Sequence, residues 1–253
     1  MTQPGTVAPE VSGHQPLRIA MWSGPRTVST AMMRSFASRG DCAVVDEPLY
    51  AYYLANTGLR HPGRDEILAS QPRDWRTVLR RLTTDPLPAG CSTAYQKQMT
   101  HHVLPDVDRA ALAPLTHAFL IRDPRALLAS YAKVRGEPTL ADLGLPQQVE
   151  LFERFGGPVL DSADVRADPA AALGALCEAL GLAFDPAMLA WPAGPQPSDG
   201  VWGRHWYDGV WASTGFASAD PSRAEPVLDP RLEPLLAACL PYYETLAAHR
   251  LRT

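Results

Sequence analysis

Leu17-Arg18-Ile19-Ala20-Met21-Trp22-Ser23-Gly24-Pro25-Arg26-Thr27-Val28-Ser29-Thr30 is the stretch on which the fold turns. Leu17–Trp22 is a short, mostly apolar run of the kind that forms a buried strand. Ser23-Gly24-Pro25 then turns the chain. From Thr27 to Arg39, the apolar residues Val28, Ala31, Met32, Met33 and Phe36 recur at helical spacing, and Gly40 stops the run. Strand, tight loop and helix in succession form a natural anion site. Free N–H groups at a helix start, with the helix dipole behind them, attract a phosphate. Gly24 permits close backbone approach. Arg26 adds a fixed cation, and Thr27, Ser29 and Thr30 add hydroxyl donors.

The same alternation continues downstream. Strands are expected at Cys42–Val45, Thr93–Gln98, Thr116–Ile121 and Pro158–Asp161. Helices are expected to begin at Tyr50 and to cover Trp75–Leu82, Pro124–Arg135, Leu145–Phe155, Ala170–Leu180 and Arg231–Arg250. Asp123-Pro124 and Asp168-Pro169 supply N-caps and first helical residues. The polar stretch His61–Arg73 reads as a loop or lid, and Trp191–Phe216 as a second, aromatic loop. Continuously apolar strands alternating with helices imply an α/β fold, a parallel sheet covered on both faces in three layers. Ligands of such sheets sit at the carboxyl ends of the strands. Ser23–Arg26, Asp46–Glu47, Lys97 onward and Arg122–Asp123 should therefore open into one crevice. The expected organisation is a disordered leader over residues 1–16 and one domain over 17–253, with acceptor or lid loops around 55–75 and 191–216.

Composition narrows the function. The 253 residues carry a formal charge of -4, which argues against a nucleic-acid partner. No run approaches the ~20 apolar residues of a membrane helix, and the polar start does not look like a signal peptide. A cytoplasmic protein without a membrane partner is expected. The four cysteines are scattered, with no CxxC pair, so neither a disulfide framework nor a bound metal is expected. Arginine greatly outnumbers lysine; Lys97 and Lys133 are the only lysines. With 25 prolines, this composition suggests a GC-rich bacterial genome.

The loop is not a Walker A loop. With Gly24 on that motif's first glycine, Ser29-Thr30 stand where Gly-Lys should be, and the lysine that grips nucleotide triphosphates is missing. A second anchor follows β-type Phe119–Ile121: Arg122 at the strand exit, with Ser130 two helical turns beyond Pro124.

Together, Pro25-Arg26-Thr27-Val28-Ser29-Thr30 and Arg122…Ser130 resemble the sulfotransferases that use 3′-phosphoadenosine 5′-phosphosulfate (PAPS). That family pairs a Pro-Arg/Lys-Ser/Thr-x-Ser/Thr loop for the 5′-phosphosulfate with an arginine–serine pair for the 3′-phosphate. Asp168-Pro169 through Leu180-Gly181-Leu182 resembles a later helix of the family. Met21–Arg26 and Asp46-Glu47-Pro48-Leu49-Tyr50 look like a bacterial sulfotransferase-like group, also found next to aminotransferase-like proteins in plants. The resemblance implies that Gly24, Pro25, Arg26, Thr27, Val28, Ser29, Thr30, Arg122 and Ser130 bind PAPS as co-substrate, and that a small-molecule acceptor is the partner.

Sulfuryl transfer needs positioning and charge stabilisation above all. Arg26 stands where the family usually has lysine and is expected to act electrostatically. A hydroxyl acceptor also needs a base. Glu47 occupies a position where some bacterial members carry a catalytic carboxylate, and burial would raise its pKa usefully. Many members have Lys-x-His after the third strand; Lys97 matches the lysine, but Met99 stands at the histidine position. His101 is the alternative base, with Lys97 stabilising the sulfuryl group. The aromatic loop lies where the family covers its nucleotide, so Trp206 or Trp211 is expected to stack on adenine and Arg204 to reach a phosphate. Two other functions compete: a phosphate-loop kinase of a small metabolite, and a nucleotide-binding regulatory module that has lost catalysis.

Overall fold

A computed structural model describes residues 15–135, 138–217 and 227–253. The expected leader lies, up to residue 14, outside the described residues. Five strands form one sheet: β1 (Leu17–Ser23), β2 (Cys42–Asp46), β3 (Thr93–Met99), β4 (Thr116–Ile121) and β5 (Val159–Asp161). Their order is β2-β3-β1-β4-β5 and every pairing is parallel. The fold is α/β, a parallel sheet between two layers of helices.

Alternation along each strand explains the layers. Ile19 and Met21 of β1 point to one face. There they pack on Met32, Met33 and Phe36 of α1 (Ser29–Ala37) and on Leu173, Leu176 and Cys177 of α9 (Pro169–Ala179). Ala20 and Trp22 point to the other face, toward α4 (Trp75–Thr84), α7 (Leu145–Phe155) and α12 (Glu233–Ala247). Each fully buried Leu, Ile, Met or Phe contributes about 1.5–3 kcal/mol relative to exposure, which the mostly apolar β1 and β4 supply, whereas the equally buried β3 also carries Gln96, Lys97 and Gln98.

The remaining helices, apart from the 12-residue α5, are shorter. α2 spans Tyr50–Thr57, α3 Arg64–Ser70, α5 Pro124–Arg135, α6 Leu140–Leu143 and α8 Ser162–Ala167. Within 191–216, α10 (Gly203–Trp206) and α11 (Asp208–Trp211) are single turns. α3 corrects the expectation of a loop over His61–Arg73. Its only buried residue is Ile67, so no apolar periodicity marked it, although Asp65 and Glu66 suit a first turn. α8 was also not foreseen.

The strand order matters for function. From β1 the chain moves to β2 and β3 on one side, then returns to place β4 on the other. The crevice at the carboxyl ends of β1 and β4 is thus the topological switch point, where parallel sheets bind ligands.

Candidate active site

The two sequence anchors meet at that switch point. Beyond β1, a Cβ on Gly24 would lie 2.8 Å from the Leu143 carbonyl oxygen, so only glycine fits against the α6–α7 corner. Arg26 has φ 59°, a left-handed conformation that costs a non-glycine residue about 1–2 kcal/mol. Arg122, leaving β4, donates its Nη1 to the Arg26 carbonyl oxygen. The Arg26 Nε donates to Ser130 Oγ on α5 at 3.2 Å. Thr27 Oγ1 donates to the Gly24 carbonyl at 3.2 Å and closes the loop. α1 begins at Ser29 with no side-chain cap and no acid in its first turn. Its leading N–H groups and the positive end of its dipole are therefore available to an anion.

A second cluster stands at the ends of β2 and β3. Register places Asp46 directly beside Lys97. Lys97 Nζ donates to Asp46 Oδ1 at 3.0 Å, to Glu47 Oε1, and to the Tyr207 hydroxyl at 2.8 Å. That hydroxyl donates to Asp46, 2.8 Å from Oδ2, and also accepts from Trp202 Nε1 at 3.0 Å. The Gly200 amide completes Asp46 at 2.9 Å. Lys97 and Asp46 side chains are each 2% exposed, whereas Glu47 retains 12%. Glu47 is thus the carboxylate that reaches the crevice.

Glu47 is also strained, with φ 37°; it and Arg26 are the non-glycine residues of positive φ among the described residues. Such strain persists only where neighbours over-determine it. Here the Glu47 amide donates to the Lys97 carbonyl at 2.9 Å, and Gln71 Nε2 donates to the Glu47 carbonyl at 3.1 Å.

Charge in this cluster is unbalanced, with two carboxyl groups around one ammonium. Burial pushes the Glu47 carboxyl above its ordinary pKa; Lys97 opposes that rise, and Asp46 adds to it. Burial works against the Lys97 charge, but Asp46 and Glu47 outweigh it and hold its pKa above the usual value. The same carboxyl groups thus favour the ammonium form of Lys97, and burial favours the proton on Glu47 more than in a free glutamate.

His101 and His102 lie in the 3-10 turn Thr100–His102 that follows β3. The His101 ring meets Tyr53 edge-on at 5.2 Å. His102 is buried and stacks between Tyr50 at 4.8 Å and Tyr53 at 4.7 Å. Burial holds its pKa well below the ordinary histidine value, with His101, His61 and Lys97 lowering it further. Met99 is buried and touches Ser23 Oγ at 3.8 Å.

Residues 191–216 dock onto α1 and onto the Asp46–Lys97 cluster. Asp199 Oδ2 accepts from Arg34 of α1 at 2.6 Å and from Trp211 Nε1 at 2.9 Å. Trp202 and Tyr207 are buried, and Trp206 and Trp211 pack on their cluster beside Tyr50 and Tyr53. Arg204 Nη2 donates to Glu66 of α3, and its Nε lies 3.3 Å from His205 Nε2. Arg204, expected to reach a phosphate, is in an ion pair with Glu66 on α3. Tyr52 belongs to the core and donates to Asp106.

The structure brings Arg26, Arg122 and Ser130 together, and separately Glu47 and Lys97. Sequence reading missed Tyr207 and assigned no role to Asp46. The adjacency of Asp46 to Glu47 at a strand exit was the available signal for Asp46; nothing local marked Tyr207.

Comparison with known proteins matches residues 17–250 to the sulfotransferase domain family. Two Arabidopsis thaliana relatives carry the names branched-chain-amino-acid aminotransferase-like protein 1 and 2. The first is 37% identical over 93% of this chain and 42% of its own length. The second is 34% identical over 91% and 41%. The chain thus spans about two-fifths of the length of these relatives. A solved sulfotransferase from Alicyclobacillus acidocaldarius shares the fold, with a TM-score of 0.56 at 14% identity over 93% of this chain and 97% of that one. With the family match covering all the described strands and helices, this chain belongs to the sulfotransferase family.

Proposed function

We propose that the protein transfers a sulfuryl group from PAPS to a hydroxyl or amine of a small-molecule acceptor. The observation that carries this reading is the convergence of Arg26, Arg122 and Ser130 at the switch point, beside an uncapped helix start. These groups suit a co-substrate with two separate phosphate positions. The Gly24–Thr30 loop and the start of α1 would hold the 5′ end, with Arg122 and Ser130 on the 3′-phosphate. Bound there, PAPS would supply an activated sulfuryl group on a phosphate leaving group. Arg26 would offset the charge that develops as the leaving bond breaks.

Glu47 would accept the acceptor's proton. It is the accessible carboxylate of its cluster, and its raised pKa brings it closer to the range a general base needs. Lys97 holds Glu47 Oε1 in place, and Tyr207 in turn holds Lys97. His101 is the competing base.

The aminotransferase-like names of the plant relatives are not carried over. Pyridoxal chemistry needs a lysine amine free to form a Schiff base. Lys97 is held as an ammonium by two carboxylates, and Lys133 is exposed on α5.

Calorimetric titration with 3′-phosphoadenosine 5′-phosphate, without metal, tests the reading. The wild type is expected to bind it, and Arg122→Ala to bind at least tenfold more weakly, the cost of about 1.5–3 kcal/mol for a charge-assisted bond. No binding, or a preference for ATP that requires magnesium, would overturn the proposal in favour of a kinase.

A further inference from the structure

Gln71 commits its whole side-chain amide to the turn that carries Glu47. Its Nε2 donates to the Glu47 carbonyl at 3.1 Å and to the Asp46 carbonyl at 3.5 Å. Its Oε1 accepts from the Ala51 amide at 3.1 Å. A backbone N–H can only donate and a carbonyl can only accept, so a single orientation of the side chain satisfies all three groups. The residues bridged in this way are the end of β2 and the first turn of α2. Leu49, the N-cap of α2, makes no side-chain cap. Gln71 supplies the missing acceptor from 20 residues away.

α3 brings Gln71 to this place. Its buried residue, Ile67, packs in one cluster with Tyr50, Ala51, Trp202 and Tyr207. Gln71 follows the helix in extended backbone, with φ -136° and ψ 157°. A helix that buries so little thus ends on the backbone of Glu47.

Glu47 is therefore held twice. Lys97 fixes its carboxyl group, and Gln71 fixes the carbonyl of a residue whose φ is 37°. A glutamate does not choose that φ by itself. Once released, it returns to a negative φ, and that rotation swings its side chain away from Lys97. We propose that Gln71 is a positioning residue for the catalytic base: by spanning the turn from Asp46 to Ala51, it keeps Glu47 in the conformation that holds its carboxyl group on Lys97. This deepens the sulfuryl-transfer reading, with Glu47 as base, and rests on it.

Two variants test the role. Gln71→Met keeps the length and loses every hydrogen bond. The milder Gln71→Asn keeps an amide but is one methylene too short to span the turn. Glu47 is followed by carbon-13 NMR on protein labelled at the glutamate carboxyl carbon, and its signal is the one that Glu47→Gln removes. The groups that face Glu47 are Asp46, Lys97 and Tyr207, and both variants keep them. Burial is the largest cause of the raised Glu47 pKa, so a carboxyl group that leaves its place should titrate lower, toward the usual ~4.3. Affinity for 3′-phosphoadenosine 5′-phosphate should be unchanged. In the wild type, the Gln71 side-chain amide protons should exchange with water more slowly than those of an exposed glutamine. Glu47 titrating as in wild type in either variant would overturn the inference, even with a lowered urea midpoint, and would leave Gln71 a purely structural role. Free exchange of the wild-type Gln71 amide, or a Glu47 shift accompanied by loss of bisphosphate binding, would overturn it as well. Failure of the wild type to bind the bisphosphate would instead strike the sulfuryl-transfer reading, a separate result.

Discussion

Lys97 Nζ lies 2.8 Å from the Tyr207 hydroxyl, joining the third strand of the sheet to a segment 110 residues away. The phenol accepts from Lys97 and Trp202 and donates to Asp46, so one hydroxyl satisfies three buried groups. It fixes the ammonium that in turn fixes Glu47. The 191–216 segment therefore helps to fix the Asp46–Lys97–Glu47 cluster.

Replacing Tyr207 by phenylalanine keeps the ring and removes the hydroxyl. Lys97 and Trp202 lose an acceptor, and Asp46 loses a donor. Unmade buried hydrogen bonds cost about 1–3 kcal/mol, so Tyr207→Phe should lower the urea midpoint by a corresponding amount. If Tyr207 also positions Glu47, kcat should fall with little change in bisphosphate affinity. Loss of stability with kcat intact would assign Tyr207 a structural role alone.

The pH dependence separates the two candidate bases. Glu47 must be ionised to accept a proton, and burial raises its pKa above the usual ~4.3 of glutamate. Transfer should therefore rise with pH along a limb displaced above that value, and Glu47→Gln should abolish the limb and most of the rate. If His101 is the base, the limb persists in Glu47→Gln and disappears in His101→Gln. Stability follows the opposite course. A carboxyl whose folded pKa is raised stabilises the fold fully below its unfolded pKa, and that contribution is lost as pH rises through the folded value. Glu47→Gln should thus gain stability relative to wild type at neutral pH and lose that advantage below about pH 4, as urea titrations at the two pH values would read.

Much of this framework was legible in the sequence because its signals are local. β4 and α5 end and begin where Ile121, Asp123 and Pro124 dictate, since a cap and a first-turn proline act within a few residues. The Arg26 loop and the Arg122–Ser130 pair were each visible as a strand exit followed by a helix. Tyr207 was not visible: its partner Asp46 is 161 residues away, and no period or spacing links them. α3 was missed for a related reason. A seven-residue helix with one buried side chain is held by tertiary contacts, Arg204 with Glu66 among them, and leaves little hydrophobic pattern.

Arg26 sets backbone ease against function. Its left-handed φ of 59° is one that glycine adopts freely. Its exposed side chain contributes one hydrogen bond to Ser130 and little burial. Relief of the strain, about 1–2 kcal/mol, should exceed that bond, so Arg26→Gly is expected to melt at a higher temperature than wild type. The same change removes the cation from the phosphate loop. Bisphosphate affinity should fall at least tenfold and the transfer rate further still, because charge on the leaving group grows toward the transition state. Calorimetry and a melting curve on one variant decide the matter. A glycine variant that is less stable would mean the Arg26–Ser130 contact outweighs the strain. One that binds and transfers normally would remove Arg26 from the site.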